Sequence, residues 1–441
     1  MKDIISFHVG NAGQQIGDST WQLFCIEHGI QPDATRVYER PYQGEQDFFH
    51  SFFTEHPDQT YSPKAVFVDS EPSSSLQVSE GELSKVYSLQ SFVLRETDTR
   101  RHSLEPEEAA SGGLVERAIE AVRLEAEASD GVGGFIGTSS LCGFTGSKLN
   151  SELLQQLSDE YPGITKMQVS LYPCNIAENV TECYNCVLNC ESLIEDVDLN
   201  FVMDNKAAFG ICKEYLKLET PNLTNINRVI AQAMASITCT MRFDSCMNQN
   251  LDEMLQNLVP VKGLNFILTA NASYVPSTKV RESPSTEEVT RDLFDSSACL
   301  SSCEPINGRY ISLNVSYRGM HIPKFVSIAL YEHRPRINYV PWEVCGMKCG
   351  ICYNSPKVYE GKEMALVSKG GVKLANNTAV CSVFEPIEEK FDQLYSRRAF
   401  VKSYNELGYE ADDFEASRDK WSDLIYRYQT ASQATQYDLD D

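Results

Sequence analysis

A chain of 441 residues with 42% hydrophobic and 23% charged side chains has the make-up of a globular protein, long enough for two or three domains. Its 62 acidic against 38 basic side chains leave a formal net charge of −24, which argues against a nucleic-acid partner and favours basic ones. No stretch approaches the roughly 20 apolar residues that span a bilayer, and the start MKDIISFHVG lacks a secretory pattern, so a cytosolic chain with reduced thiols and no membrane contact is expected.

Residues 4–9 are an apolar run that predicts a strand, broken at Gly10-Asn11-Ala12-Gly13. Ile16, Trp21, Leu23, Phe24 and Ile26 then predict a helix, with Gly29 placed to end it. Residues 65–68 predict a short buried strand, followed by the acidic turn Asp69-Ser70-Glu71-Pro72. Residues 95–111 are charged and irregular and are expected to form a loop, whereas residues 114–128 place apolar side chains on one helical face. Strands are expected at residues 135–138, 167–172 and 199–203. The first of these leads through Gly143-Phe144-Thr145-Gly146-Ser147 into a helix carrying Leu149, Leu153 and Leu157. Strands alternating with helices of this length imply a parallel sheet covered on both faces, an α/β fold.

From about residue 206 the alternation stops. A helix over residues 211–216 leads to a longer one over residues 224–242, and mixed strands are expected at residues 263–269, 310–317 and 326–330. Two helices close the chain, residues 387–404 and 412–428, ahead of a tail, residues 436–441, expected to be disordered. The division that follows is a Rossmann-like parallel-sheet domain (residues 1–205), an α+β intermediate domain (206–380) and a C-terminal helical hairpin with a short acidic tail (381–441).

In parallel sheets, ligands bind beyond the carboxyl ends of the strands, where the polar turns above all fall. Gly10 to Gly13 would offer backbone N–H groups to an anion at a helix N-terminus. Asp69 and Glu71 supply the hard oxygens that Mg²⁺ wants. The turn from Gly143 to Ser147 suits phosphate too, although the GxxxxGK[ST] spacing is absent. One glycine turn alone mostly just connects elements; three strand-end turns at one sheet edge, one of them acidic, point to one ligand that carries phosphate. Two CxxC pairs, Cys183/Cys186 and Cys349/Cys352, lie far apart without histidine company, so buried structural thiols are expected rather than zinc ligands.

These turns sit within a wider resemblance. HVGNAGQQIGDSTWQLFCIEHGIQPD, FVDSEP, VSLYP, MDNKA, TNINR, MRFDS, NLVP, YRG, NNTA and KFDQLYSRRAFV resemble segments of the tubulin family, in family order and over nearly the whole chain. Glu253, in LDEMLQNLVP, and the long connection over residues 357–373 resemble alpha rather than beta chains. The resemblance implies a microtubule subunit, cytoplasmic and cytoskeletal or ciliary, that pairs with beta-tubulin, buries GTP and Mg²⁺, and meets the lattice and its associated proteins. It assigns the nucleotide to Gly10, Asn11, Asp69, Glu71, Ser140, Gly143, Phe144, Thr145, Gly146, Ser147, Glu182, Asn205 and Asn227, with Glu71 and Asp69 at the metal. It makes Glu253 the residue that acts in trans on the neighbouring subunit's GTP.

The departures from the family pattern fall mainly in that site. Cys142, Phe144 and Lys148 interrupt its glycine-rich signature, and Phe144 is expected to be the worst obstacle to a phosphate. Asn11 replaces a glutamine, Arg101 an asparagine, and Leu223 the tyrosine that stacks on guanine, a contact of roughly 1–3 kcal/mol in comparable pairs. Arg40 stands where alpha chains carry an acetylated lysine, the loop over residues 274–284 is dissimilar, and the tail lacks a glutamate tract and a terminal tyrosine. A weakened or empty own site is therefore expected, with no hydrolysis there. The alternatives are a tubulin-like binding protein that caps or sequesters tubulin without polymerising and, less favoured, a free-standing GTPase.

Overall fold

The computed structural model describes residues 2–37, 48–94, 107–174, 180–245, 247–279, 284–342 and 346–433. Its strands are β1 (Asp3–Val9), β2 (Phe53–Glu55), β3 (Tyr61–Pro63), β4 (Ala65–Asp69), β5 (Phe92–Leu94), β6 (Val132–Ser140), β7 (Lys166–Tyr172), β8 (Leu199–Asp204), β9 (Phe266–Asn271), β10 (Tyr310–Gly319), β11 (Met347–Cys352) and β12 (Lys369–Asn377). The first helices are α1 (Gly10–His28), α2 (Pro72–Ser79), α3 (Glu107–Ala128), α4 (Phe144–Glu160), α5 (Glu182–Leu188), α6 (Glu191–Glu195) and α7 (Asn205–Glu214). The rest are α8 (Leu223–Ile237), α9 (Cys239–Arg242), α10 (Leu251–Leu258), α11 (Thr286–Phe294), α12 (Pro323–His333), α13 (Cys381–Tyr395), α14 (Val401–Glu406) and α15 (Ala411–Ala431).

Ten strands form one sheet in the order β11-β10-β12-β9-β8-β7-β6-β1-β4-β5, while β2 and β3 pair as a separate hairpin. From β5 across to β9 the neighbours run parallel, and β12 then lies antiparallel to both β9 and β10. The pairing of β8 with β9, for example Phe201 opposite Ile267, carries the N-terminal sheet into the second half without an edge.

Side-chain alternation along the strands divides the core. Ile5, Phe7 and Val9 point to a layer built with α3, α4, α5, α13 and α15. Ile4 and Phe67 point the other way, to Trp21 and Phe24 of α1 and Ile226, Ile230 and Met234 of α8. A third cluster packs Val289, Leu293, Val326 and Leu330 of α11 and α12 on Leu313, Val315 and Tyr317 of β10. Each fully buried large side chain contributes about 1.5–3 kcal/mol, so the long central strands and α8 are the main source of stability.

Where strand and helix boundaries differ from expectation, the reasons are local. Residues 326–330 are not a strand but the middle of α12: Pro323 sits at a first-turn position, and the buried Val326, Ala329, Leu330 and His333 recur at helical spacing. The helix expected over residues 224–242 breaks at Thr238, whose hydroxyl bonds back to Met234 O, and resumes as α9. That expected over residues 387–404 begins earlier, at Cys381, and is split between α13 and α14, with Phe400 at φ 61°. Residues 107–111 belong to α3 rather than to a loop, and residues 95–106 lie outside the described residues. Gly29 ends α1 in the left-handed region at φ 70°, as read.

One buried charge cluster joins the halves. Glu27 of α1 meets Arg242 of α9 at 2.6 Å and Arg318 of β10 at 2.7 Å, with all three side chains fully buried. Burial would raise the Glu27 carboxyl; the guanidinium groups of Arg242 and Arg318 outweigh it and hold the acid below its usual range.

Candidate functional site

The turns after β1 and β6 meet. Gly10 opens α1 at φ +72°, and a Cβ there would stand 3.1 Å from Gly146 Cα, so only glycine permits this approach. Neither helix has a side-chain cap: Val9 and Gly143 hold the N-cap positions of α1 and α4, whereas α7, α8, α10 and α11 are capped by Asp204, Asn222, Asn250 and Ser285. Two long helices thus bring N-termini without side-chain acceptors together at one point, which is an anion-binding arrangement. Space remains in front of it, since a Cβ on Gly143 would touch nothing within 4 Å.

The second turn is braced from behind by α5. Asn185 donates to Cys142 O at 2.7 Å and Asn189 donates to Ser147 Oγ at 3.1 Å, while Ser140 Oγ accepts from Cys142 N at 3.3 Å. Ser147 is buried and donates to Phe144 O, so its hydroxyl serves the turn; Thr145 is exposed. Asn185 and Asn189 escaped the sequence reading, because nothing in a short helix marks which asparagines face a turn 40 residues earlier.

Phe144 turns its ring toward the C-terminal helices. It takes ordinary helical backbone as the first residue of α4, and its ring packs edge-on against Tyr404 at 5.8 Å and Tyr409 at 6.2 Å. Lys148 follows it, its ammonium 5.9 Å from the Phe144 ring and 5.4 Å from the Tyr409 ring. The ring set against a phosphate on sequence grounds is thus held by these aromatic neighbours. Phe144→Gly is expected to lower stability by about 1–3 kcal/mol, from two aromatic contacts and partial burial, without tightening phosphate binding. Chemical denaturation beside phosphate-analogue titration checks this, and a tighter grip in the variant would contradict the placement.

The acidic turn divides its duties. Asp69 is buried, accepting from Ser74 Oγ at 2.5 Å and from Glu71 N at 3.2 Å, so it fixes the start of α2. Glu71 is exposed at the N-cap of α2 and makes no side-chain cap. Among the described residues no three His, Cys, Asp or Glu side chains cluster closely enough to hold a metal by themselves.

Beyond these turns, amides line the way to α8. Gln15 donates to Asn11 Oδ1 at 2.8 Å and accepts from Asn227 Nδ2 at 3.4 Å, joining α1 to the first turn of α8. Gln15 was also missed in the sequence. Asn205 opens α7 after β8, Glu182 opens α5 beyond the end of β7, and Leu223 at the start of α8 is 63% exposed. Of the residues read from sequence, all but Glu253 thus gather at one edge of the sheet.

Glu253 lies at the opposite edge. Thr165, just before β7, donates to Asp252, and Leu251 packs on Gly134 near the start of β6, so α10 covers the amino ends of these strands. A strand of seven residues spans about 20 Å, too far for Glu253 to reach its own chain's phosphate turns. Its side chain is half-exposed, with Oε2 accepting from Gln249 N at 2.9 Å. Lys348 of β11 donates to Asn257 of the same helix at 2.5 Å.

The connection preceding β12 seats itself against α1 and α8. Tyr359 donates to Ser19 O at 2.5 Å, Gln232 donates to Lys357 O at 3.1 Å, and Arg228 pairs with Glu363 at 2.7 Å. Of the four CxxC thiols, Cys183, Cys186 and Cys352 are buried; Cys349 is exposed, contrary to expectation, because it faces outward on β11 at the sheet edge. Arg40, Arg101, residues 280–283 and the tail over residues 436–441 lie outside the described residues.

Comparison with known proteins is consistent along the chain. A family model described as "Tubulin/FtsZ family, GTPase domain" matches residues 3–213, and one described as "Tubulin C-terminal domain" matches residues 264–389. The chain is 35% identical to the tubulin alpha-2 chain of Eleusine indica over 433 residues, covering 97% of each. It is 33% identical to the tubulin alpha-2B chain of Physarum polycephalum over 442 residues, covering 99% of this chain and 98% of that one. With the tubulin alpha-1 chain of Arabidopsis thaliana it shares 35% over 433 residues, 97% of this chain and 96% of that one.

Proposed function

The chain belongs to the tubulin family, and from that premise we propose that it is an alpha-type structural subunit of microtubules, paired with beta-tubulin in the cytoplasm or in cilia. Its own GTP site is weakened, and Glu253 assists hydrolysis of the GTP held by the next subunit. One observation carries this reading: the phosphate turns and Glu253 lie at opposite edges of one sheet. Head-to-tail stacking brings those edges face to face, and such a heterologous contact does not close but propagates.

The residues fit a nucleotide. The open cradle between Gly10 and Gly146 suits phosphates, Asn205 and Asn227 suit a guanine edge, and Glu182 suits a ribose hydroxyl. Mg²⁺ would take Glu71 directly or through water, with phosphate oxygens and waters completing its shell, while Asp69 holds the turn. When bound, the metal would neutralise phosphate charge. At the other edge, the Glu253 carboxylate would accept a hydrogen bond from a water beside the neighbour's terminal phosphate, and positioning is most of what phosphoryl transfer needs from protein.

The weakness of the own site rests on the base rather than the phosphates. Leu223 offers guanine an exposed aliphatic side chain where an aromatic face would stack. Leu223→Tyr is expected to tighten GTP by roughly 5- to 150-fold, about 1–3 kcal/mol of base stacking. Fluorescent-nucleotide titration measures it, and an unchanged affinity would remove stacking from the account. Nucleotide extracted from the native protein tests the whole reading of this site: GTP well below one per chain is expected, and near-stoichiometric GTP would overturn the weakened site.

A further inference from the structure

A cavity of about 670 Å³ opens beside α7, and three cysteines, Cys299, Cys303 and Cys381, form part of its wall. Cys299 and Cys303 are 3% and 7% exposed, and Ser301 lies between them, its Oγ 3.2 Å from one sulfur and 3.4 Å from the other. The loop that carries them is pinned on both sides. Leu300 donates to Thr269 O at 2.8 Å and accepts from Asp204 N at 2.9 Å, and Ser302 Oγ donates to Asp204 at 3.0 Å.

A buried cation accompanies the thiols. Lys373 of β12 is 3% exposed, its ammonium 4.9 Å from the centre of the Phe294 ring; burial lowers its basicity, and the charges of Cys299 and Cys303 work against that. A hydrogen bond from Cys303 does most to bring the Cys299 thiol down to about 6, against burial, with help from Ser301 and Lys373. Cys303 is pushed well up by the same hydrogen bond and by burial, so the two sulfurs are unlike, Cys299 being the more acidic. Asp295 is the other charge acting on Lys373.

We propose that Cys299 and Cys303 are a peroxide-sensitive dithiol, a modification site in which Cys299 is oxidised and Cys303 closes an intrachain disulfide. The Cys299 thiolate attacks one oxygen of hydrogen peroxide and breaks the O–O bond. Sulfur is oxidised to sulfenic acid, and the departing hydroxide takes a proton to become water. The Cys303 sulfur then attacks the sulfenic sulfur, giving up its proton as the S–OH bond breaks and a second water leaves. Two thiols and one peroxide thus become one disulfide and two waters. The cavity gives a small oxidant its approach, and Lys373 holds the thiolate.

Both cysteines fall within the single tryptic peptide of residues 292–309, which makes the test direct. Native protein treated with hydrogen peroxide and then alkylated is expected to yield that peptide lighter by two hydrogens and unalkylated. Cys349→Ser, which removes an exposed thiol elsewhere, is expected to leave this unchanged. Lys373→Met is expected to slow closure about tenfold, one unit of thiol acidity. Recovery of Cys299 and Cys303 both alkylated, or joined at a rate indifferent to Lys373→Met or dependent on Cys349, would overturn the assignment.

Discussion

Glu253→Gln is expected to leave filament assembly intact and to slow phosphate release from the mixed polymer by about 10²-fold, the usual scale for a group that activates a reacting water. Glutamine keeps the length of the side chain and an oxygen for the N–H of Gln249, so the start of α10 stays in place. What it removes is the negative charge that the proposed role in trans requires. Polymers of the variant should accumulate unhydrolysed GTP in the partner subunit, and should therefore disassemble more slowly on dilution. Phosphate release at the unaltered rate, with normal incorporation of the variant, would contradict a role in trans. A variant that fails to incorporate while remaining folded would instead assign Glu253 to the interface itself.

The second large effect concerns stability. Glu27→Ala leaves Arg242 and Arg318 buried without their shared carboxylate, and breaking a buried ion pair from one side costs about 3–5 kcal/mol. A natural domain holds only about 5–15 kcal/mol in reserve, so the variant is expected to be largely insoluble or to unfold at much lower denaturant concentration. Because the cluster ties α1 and α9 to β10, the loss should appear as a single shifted transition rather than as local fraying. Equilibrium denaturation measures it; a change below about 1 kcal/mol would mean that the two guanidinium groups find other partners.

How much of this was visible in the sequence depends on how local each determinant is. The passage from β1 to α1 was legible because an apolar run, a glycine turn and a left-handed Gly29 are each read from neighbours in the chain. The segment of α12 was misjudged because five apolar-rich residues look alike as strand or helix; Pro323 and the spacing of Val326, Leu330 and His333 decide it. The edgeless continuation of the sheet from β8 into β9 was hidden by some 60 intervening residues, and only the parallel register of Asn200 with Phe266 reveals it.

The site divides in the same way. Gly10, Asp69, Gly143 and Asn205 could be placed at one sheet edge because strand ends announce them. Gln15, Asn185 and Asn189 could not, because what they do depends on which helix faces lie against the turns. Phe144 is the instructive case. Its harm was inferred from the residue type alone, whereas its direction is set by Tyr404 and Tyr409, more than 250 positions further on. Substitution of a glycine by a large side chain blocks a ligand only if the backbone needs a positive φ or the side chain has nowhere else to go. Here neither condition holds.

Sedimentation with beta-tubulin, followed by imaging of the labelled chain on the pelleted polymer, tests the central claim most directly. An alpha-type subunit is predicted to pellet with beta-tubulin in near-equal amounts and to lie along the whole lattice. Label confined to polymer ends, or a chain left in the supernatant bound to unassembled dimers, would contradict it.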